Sequence, residues 1–194
     1  MPYVSQGLPV LLQRPAGRAR RVILESVATA TGVLLARHCA HRAILHGLRA
    51  PRVLHDLTAR DLGVSPDRLL AARIPGARGR TLSAWLVMPP GAEGVGAIDH
   101  RRRVPAVLVL HGWGSNAALM APVVPPLHAA GLAVLLIDAR CHGRSDGEPF
   151  TSMPRFAEDI AAGLAWLRQQ PGIDAQRLAL LGHSVGAAAA LLHA

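Results

Sequence analysis

Ser184 lies in the sequence GHSVG, with Gly182 two positions before it and Gly186 two positions after it. The apolar run 178–181 precedes this motif, and the helix-forming run AAAALLHA follows it. A serine on a sharp turn from strand to helix is held in a strained backbone conformation with its hydroxyl exposed, and the glycines let strand and helix approach each other. The motif therefore predicts a nucleophile that attacks an acyl carbon and forms a covalent acyl-enzyme. The alternative is a serine that only caps an ordinary helix.

A second glycine-rich loop follows the apolar run 104–110 and consists of His111, Gly112, Trp113 and Gly114. Acyl transfer places negative charge on the carbonyl oxygen, which two preorganised backbone N–H groups can stabilise. We expect the N–H of Val185, directly after the serine, to be one donor and the N–H of Trp113 to be the other. The alternative is a plain glycine-rich turn between a strand and a helix.

A third motif, DARCHGRSDG, begins at Asp138 and follows another apolar run. The order HGWG, DARCHGRSDG and GHSVG resembles that of α/β-hydrolases, especially bacterial members related to serine aminopeptidases and acyl-ester hydrolases. The resemblance covers about residues 60–194 and departs from the family at Cys141, where glycine is usual. It implies that Asp138, Arg140 and His142 brace their loop and perform no chemistry.

The partners of a serine nucleophile are not evident in this sequence. A histidine has to take the serine proton and an acid has to orient that histidine; in α/β-hydrolases both follow the serine in the chain. No Asp or Glu follows Ser184, and His193 lies nine positions further along the predicted helix, which is about 13 Å of rise. The earlier histidines His111, His142 and His183 fill loop positions of the family pattern. The triad acid and histidine stay unassigned, and we expect an N-terminal hydrolase part that is inactive by itself.

Three continuous apolar runs predict the strands of the core, at 104–110, 132–137 and 178–181. Such runs are typical of parallel strands covered on both faces, and helices are predicted between them at 116–130 and 155–169. Two shorter runs, 69–74 and 82–88, flank turn residues and predict an antiparallel hairpin. The expected fold class is α/β: an incomplete α/β-hydrolase with a doubly wound, mostly parallel sheet, an N-terminal hairpin and an N-terminal helical extension.

The N-terminal region 1–60 is predicted to be a basic, mainly helical extension, and 61–194 the hydrolase core. A helix is expected at 21–48. Pro51 ends it, because proline disfavours helical backbone in the residue before it. A second short helix is expected at 52–62, with Gly63 ending it.

The apolar segment 22–36 of the extension is the part of the sequence closest to a membrane span. It contains Glu25 and falls short of the roughly 20 apolar residues that a spanning helix needs. An interfacial helix flanked by arginines is an open alternative, with a weak association of residues 1–50 with a membrane surface.

The composition of the chain indicates which partners, cellular compartment and cofactors to expect. All 21 basic residues are arginine, as a GC-rich genome would produce without selection for a partner, so no nucleic-acid partner is expected. The two cysteines are too few and too far apart to suggest a disulfide framework, so a reducing compartment, the cytoplasm, is predicted. The alternative is a membrane-associated protein that is attached through its N-terminal helix. The histidines and cysteine at 38–46 match no standard metal spacing, and neither metal nor cofactor is predicted.

Two functions of different classes follow from the sequence. The first is a serine hydrolase that acts on a small-molecule or peptide acyl substrate. The second is a non-catalytic remnant or interaction protein whose basic N-terminal region docks on an anionic surface.

Overall fold

The computed structural model describes residues 16–91 and 103–194, so the first fifteen residues of the predicted extension and most of the loop before the first core strand lie outside the described residues. The chain divides into two compact units at Ile44/Leu45 of the sequence. Helix α1, Ala16–Gly47, supplies the described part of the first unit and confirms the predicted N-terminal helix. Residues 45–60 group with the second unit, because residues 48–56 bond to loops of the core.

The second unit contains a mixed sheet of five described strands in the order β1-β2-β4-β3-β5. The strands are β1 Leu69–Pro75, β2 Thr81–Val87, β3 Val104–Leu110, β4 Ala133–Ile137 and β5 Ile173–Gly182. Strand β3 pairs in parallel with β4 and β5, whereas β2 pairs antiparallel with β1 and β4. The predicted hairpin and the three neighbouring parallel strands are confirmed.

Helices lie between the parallel strands, as predicted. The first is proline-interrupted: a 3-10 segment, Ala117–Val123, leads into the short helix α2, Val124–Ala129. The second is α3, Met153–Leu167, whose Phe156, Ile160, Leu164 and Leu167 are buried. A Cβ at Gly163 would meet Leu108 Cδ1 at 2.5 Å, which shows how closely α3 packs on β3.

The alternating side chains of the central strands form two cores, one on each face of the sheet. Leu108 and Ile137 pack with the apolar residues of α3 on one face, whereas Val109 and Leu136 pack with the residues before and in α2 on the other. This double coverage explains why the strands read as continuous apolar runs in the sequence. Strand β5 ends the described sheet, and its Leu178, Leu180 and Leu181 are only half-buried.

The predicted helix at 52–62 is wrong. Residues 51–58 have no regular secondary structure, and turns follow at 59–63. The Thr58 N–H and hydroxyl both bond to the Asp61 carboxylate, an alternative to helical hydrogen bonding. The preceding residues bond to distant loops of the core, which a continuous helix would prevent.

Candidate active site

The turn from β5 to helix α4, Val185–His193, places Ser184 in an unusual backbone conformation. Its φ is 53° and its ψ is −120°. Side chains with a Cβ rarely adopt such angles, which cost of order 1–3 kcal/mol and persist only where the surroundings enforce them. The Ser184 side chain is exposed and makes no capping hydrogen bond to α4. The geometry therefore differs from that of an ordinary helix cap.

Close approach explains both glycines of the GHSVG motif. A Cβ at Gly182 would overlap the backbone of Gly186 and Ala187. A Cβ at Gly186 would overlap the carbonyl oxygens of Leu110 and His111, at the end of β3. The start of α4 thus lies directly against the end of the neighbouring strand, and only glycine fits at these two positions.

The HGWG loop lies beside the serine. A Cβ at Gly112 would be 3.2 Å from Ser184 Cβ and 3.1 Å from Nδ1 of the exposed His183. Val185 is the first residue of α4, so its N–H has no acceptor within the helix. The N–H of Trp113 donates no backbone hydrogen bond to any residue in 16–91 or 103–194. Among the described residues neither N–H donates a hydrogen bond that would compete with an oxyanion, and the direction of both stays a prediction.

His111 bonds to backbone groups through both ring nitrogens. Its Nδ1 lies 2.7 Å from the Gly112 carbonyl oxygen, and its Nε2 lies 3.0 Å from the Ala139 nitrogen. The carbonyl requires a proton on Nδ1 and the N–H requires a lone pair on Nε2, so the bonding assigns the neutral form. Burial agrees, since it lowers the pKa of His111 to about 4.

His142 has the same arrangement in the next loop. Nδ1–H donates to the Arg140 carbonyl oxygen at 2.8 Å, and Nε2 accepts the Gly114 N–H at 3.1 Å. Burial lowers the pKa of this ring as well. His142 thus joins the DARCHGRSDG loop to the HGWG loop, and neither it nor His111 has a nitrogen left for the Ser184 proton.

Asp138 lies fully buried at the end of β4 and joins three segments. One carboxylate oxygen accepts the Ala117 N–H at 2.7 Å, and the other accepts the Arg144 N–H at 2.8 Å. His55 Nε2–H donates to the same carboxylate at 3.0 Å. A Cβ at Gly143 would overlap the carboxylate, so the loop closes tightly around it. These contacts support the bracing role.

Arg140 is also fully buried and joins the same loop to α3. Its Nε lies 2.7 Å from Asp159 Oδ1, and its guanidinium also pairs with Glu158 and Glu148. The hydrogen bond from Arg140 lowers the pKa of Glu158. Burial raises the pKa of Asp159 to about 7, although Arg140 opposes that shift. The cluster holds the loop and α3 together.

Cys141, the departure from the family pattern, has a φ of 68°, a left-handed conformation that favours glycine. Its Sγ accepts the Glu148 N–H at 3.2 Å and lies 3.5 Å from the Glu148 carbonyl oxygen. The thiol is therefore held within its own loop, consistent with a structural position.

Known proteins are similar to this chain in sequence and in fold. Residues 101–194 match the family described as serine aminopeptidase, S33. A thiohydrolase of Arthrinium phaeospermum is 35% identical over 97 residues, which are 48% of this chain and 32% of that protein. The structure of a Pyrococcus furiosus esterase superposes with a TM-score of 0.60 and 28% identity over 75% of this chain and 50% of the esterase. The chain belongs to the α/β-hydrolase superfamily.

An uncharacterized protein of Mycobacterium tuberculosis is a further relative, 40% identical over 87 residues. The match covers 45% of this chain and 30% of that protein. The α/β-hydrolase chain thus spans about a third of the length of these curated relatives and about half of the solved esterase.

The segment 51–58 adds residues that the motifs did not indicate. Asn116 caps the 3-10 segment through its side-chain oxygen and donates Nδ2–H to the Val53 carbonyl oxygen at 3.0 Å. His55 bonds to Asp138 and packs 4.9 Å from the Trp85 ring. Asn116 before an apolar segment is a recognisable cap, but nothing in the sequence around His55 indicates a partner 83 positions away. This strap, residues 51–58, supports the loops of the α/β-hydrolase site.

The structure brings Ser184 and Val185 next to the HGWG loop, and hydrogen bonds join that loop to the segment that contains Asp138, Arg140 and His142. His193 is not part of this group of residues, because it is exposed at the other end of α4 from Ser184. Within the described ranges no histidine or carboxylate bonds to the Ser184 hydroxyl, and no group of three or more His, Cys, Asp or Glu could hold a metal ion. The triad acid and histidine of this α/β-hydrolase thus stay unassigned.

Proposed function

We propose that this protein is a serine hydrolase of acyl bonds that works through an acyl-enzyme on Ser184. The observation that supports the proposal most is the backbone of Ser184, strained at φ 53° and ψ −120° with an exposed hydroxyl that caps nothing. A strained residue persists where the fold enforces it, and such residues cluster at functional sites. The N–H of Trp113 in the adjacent loop and the N–H of Val185 at the start of α4 are the proposed oxyanion donors.

In the proposed reaction, Ser184 Oγ attacks the carbonyl carbon and gives its proton to a general base. The carbonyl oxygen becomes negative and accepts hydrogen bonds from the N–H groups of Trp113 and Val185. The tetrahedral intermediate then expels the leaving group, which takes the proton, and leaves an ester on Ser184. Water attacks that ester by the reverse route, releases the acid and restores the hydroxyl.

The base in this mechanism is neither His111 nor His142, because both rings already use both nitrogens. A polypeptide of residues 1–194 is therefore expected to show little activity of its own. An acid and a histidine that reach Ser184 would restore general base catalysis.

Ester and thioester bonds are the proposed substrates, with peptide-like bonds as the third member of the class. The similar proteins support this range, since they include an esterase, a thiohydrolase and the serine aminopeptidase family. Small-molecule and peptide acyl compounds share the group that the proposed site acts on. This group is a carbonyl, whose carbon Ser184 attacks and whose oxygen the oxyanion donors bind.

A second candidate function is a non-catalytic remnant or interaction protein whose basic N-terminal region docks on an anionic surface. The absence of a base bonded to Ser184 in the described residues favours it, together with the exposed, arginine-bearing helix α1. A fluorophosphonate probe separates the two candidates, because it forms a covalent adduct with a serine hydroxyl that lies beside oxyanion donors, although slowly where no general base acts.

The test compares the intact chain with Ser184→Ala and with a matched control, Ser26→Ala, in the separate helix α1. After long incubation with excess probe, peptide mapping by mass spectrometry is expected to find the adduct on Ser184 in the unsubstituted chain and in Ser26→Ala, formed slowly because the oxyanion donors act without a general base. Ser184→Ala should stay unlabelled. If folded protein never labels at Ser184, the hydrolase proposal fails and the interaction protein is favoured.

The cytoplasm is the proposed compartment of the core. Cys39 and Cys141 both carry free thiols, which fits a reducing environment.

A further inference from the structure

Helix α1 exposes large aliphatic side chains. Eight of them are more than half exposed: Val22, Ile23, Leu24, Val27, Val33, Leu34, Leu35 and Ile44. An α-helix turns about 100° per residue, so these side chains cover more than half of its circumference. Contiguous apolar patches of this kind on a protein surface mark contacts with another molecule or with a membrane.

Two polar residues of this apolar segment, Glu25 and Thr29, are bonded locally. Arg21 Nε lies 2.8 Å from Glu25 Oε1, and the Thr29 hydroxyl donates to the Glu25 carbonyl oxygen at 2.8 Å. In hydrocarbon, polar groups have to find partners within the protein. The segment can therefore enter a lipid phase without leaving Glu25 or Thr29 unbonded.

The charges of α1 lie at the ends of the apolar segment. Arg18, Arg20 and Arg21 precede it, Arg37 and Arg42 follow it, and Glu25 is the one acidic residue of the helix. Arginine side chains at such positions extend their charged groups to the membrane interface while their stems stay in the apolar layer. The two cationic ends of the segment are attracted more strongly to a membrane of anionic lipids than to an uncharged membrane.

The segment is also long enough to enter the bilayer core. Residues 22–36 rise about 22 Å as a helix, against roughly 30 Å of hydrocarbon, and arginine stems at both ends extend the reach. By length and composition Gly17–Gly47 can cross a membrane, with a mean hydropathy of 1.3 over its best window. We propose that α1 is a membrane anchor that inserts residues 22–36 into the hydrocarbon of an anionic bilayer, with its arginines at the headgroups. This goes beyond weak surface association and is independent of the chemistry at Ser184.

The test mixes the full chain with vesicles of phosphatidylcholine and phosphatidylglycerol and separates bound protein by flotation. We expect the chain to float with the vesicles and to stay bound after washing with high salt and with alkaline carbonate. Val27→Arg with Leu34→Arg should lower the bound fraction about tenfold, because both charges would enter hydrocarbon. The matched control is Val53→Arg with Leu54→Arg, whose side chains are 51% and 71% exposed outside α1, and it should float like the intact chain.

A third variant replaces Arg18, Arg20 and Arg21 with Gln. It should lose more binding to the anionic vesicles than to vesicles of phosphatidylcholine alone. The proposal fails if the intact chain does not float, if salt alone releases it, or if the two double variants float equally. Thermal melts by circular dichroism show that the variants retain the folded core.

Discussion

His111 and His142 show that the role of a residue depends on the bonds its side chain already makes. His111 lies in the loop beside Ser184, and His142 lies in the next loop, which is bonded to it, so both are positions where a catalytic base would be sought. Each ring instead donates from Nδ1 to a carbonyl oxygen and accepts a backbone N–H on Nε2. A protonated ring would lose that acceptor, so these histidines act as fixed links between loops.

The link formed by His111 makes stability depend on pH. Its pKa is about 4 in the folded protein and about 6.5 when unfolded, so between these values only the unfolded chain binds the proton. The contribution of His111 to the free energy of unfolding is fully present above pH 6.5 and is lost as the pH falls toward 4. The total is about 3 kcal/mol.

Urea unfolding across this range would measure that loss. We expect the free energy of unfolding of the intact protein to fall more steeply with acid than that of His111→Gln, whose amide oxygen can accept the Ala139 N–H without titrating. Parallel curves for the two proteins would show that His111 does not titrate as described.

Ser184 provides a second test at the same scale. Ser184→Gly removes the Cβ that makes φ 53°, ψ −120° costly, whereas Ser184→Ala keeps it. The glycine variant is relieved of about 1–3 kcal/mol of backbone strain in the folded state. Glycine also makes the unfolded chain freer, which costs up to about 1 kcal/mol of stability. We therefore expect the glycine variant to be more stable than the alanine variant by about 1 kcal/mol. Urea unfolding of the two variants, both without the hydroxyl, checks this. A glycine variant no more stable than the alanine variant would show that the turn is not strained.

Among the elements, the junction of β5, α4 and β3 is the most tightly constrained. Gly186→Ala would push a Cβ into the carbonyl oxygens of Leu110 and His111, so α4 has to move away from β3. We expect a loss of about 2–3 kcal/mol in the free energy of unfolding, typical of overpacking. The matched control is Gly147→Ala, which has open space around it and should stay within about 0.5 kcal/mol. Equal stability of the two variants would contradict the close approach.

The elements also show what local sequence can predict. Strands β3 and β4 were predictable because burial on both faces makes every position apolar. The region 52–62 was predicted as a helix, and the error has a physical cause: its structure is decided by Asn116 and Asp138, which lie far along the chain. Periodicity carries no information about such distant partners.

For the whole molecule, the candidate site was predictable where its parts are local. GHSVG, HGWG and DARCHGRSDG are short loops after strands, and the sheet brings them to one edge. The contribution of His55 was not predictable, because it acts across the fold on a buried carboxylate. The bonds that remove His111 and His142 from base chemistry are also tertiary and depend on side-chain geometry.

Activity is a property of the whole molecule. A polypeptide of residues 1–194 should hydrolyse 4-nitrophenyl acetate less than about tenfold faster than its Ser184→Ala variant, because no histidine or carboxylate in 16–91 or 103–194 bonds to Ser184 and only the oxyanion donors act. Initial rates from absorbance measure this. Turnover of about 1 per second or more, lost in Ser184→Ala, would show that one of the two linked histidines leaves its bonds to act as the base. His142→Gln and His111→Gln would then identify it.

The strand order has a consequence during protein synthesis. Strand β3 lies between β4 and β5, and β5 is completed roughly 70 residues after β3. At about 5–20 residues per second, a ribosome needs several seconds to make that stretch. Until then the apolar strand VPAVLVL has an open edge that can pair with another nascent chain. Slow translation of this stretch should thus increase the need for a chaperone that shields the edge of β3.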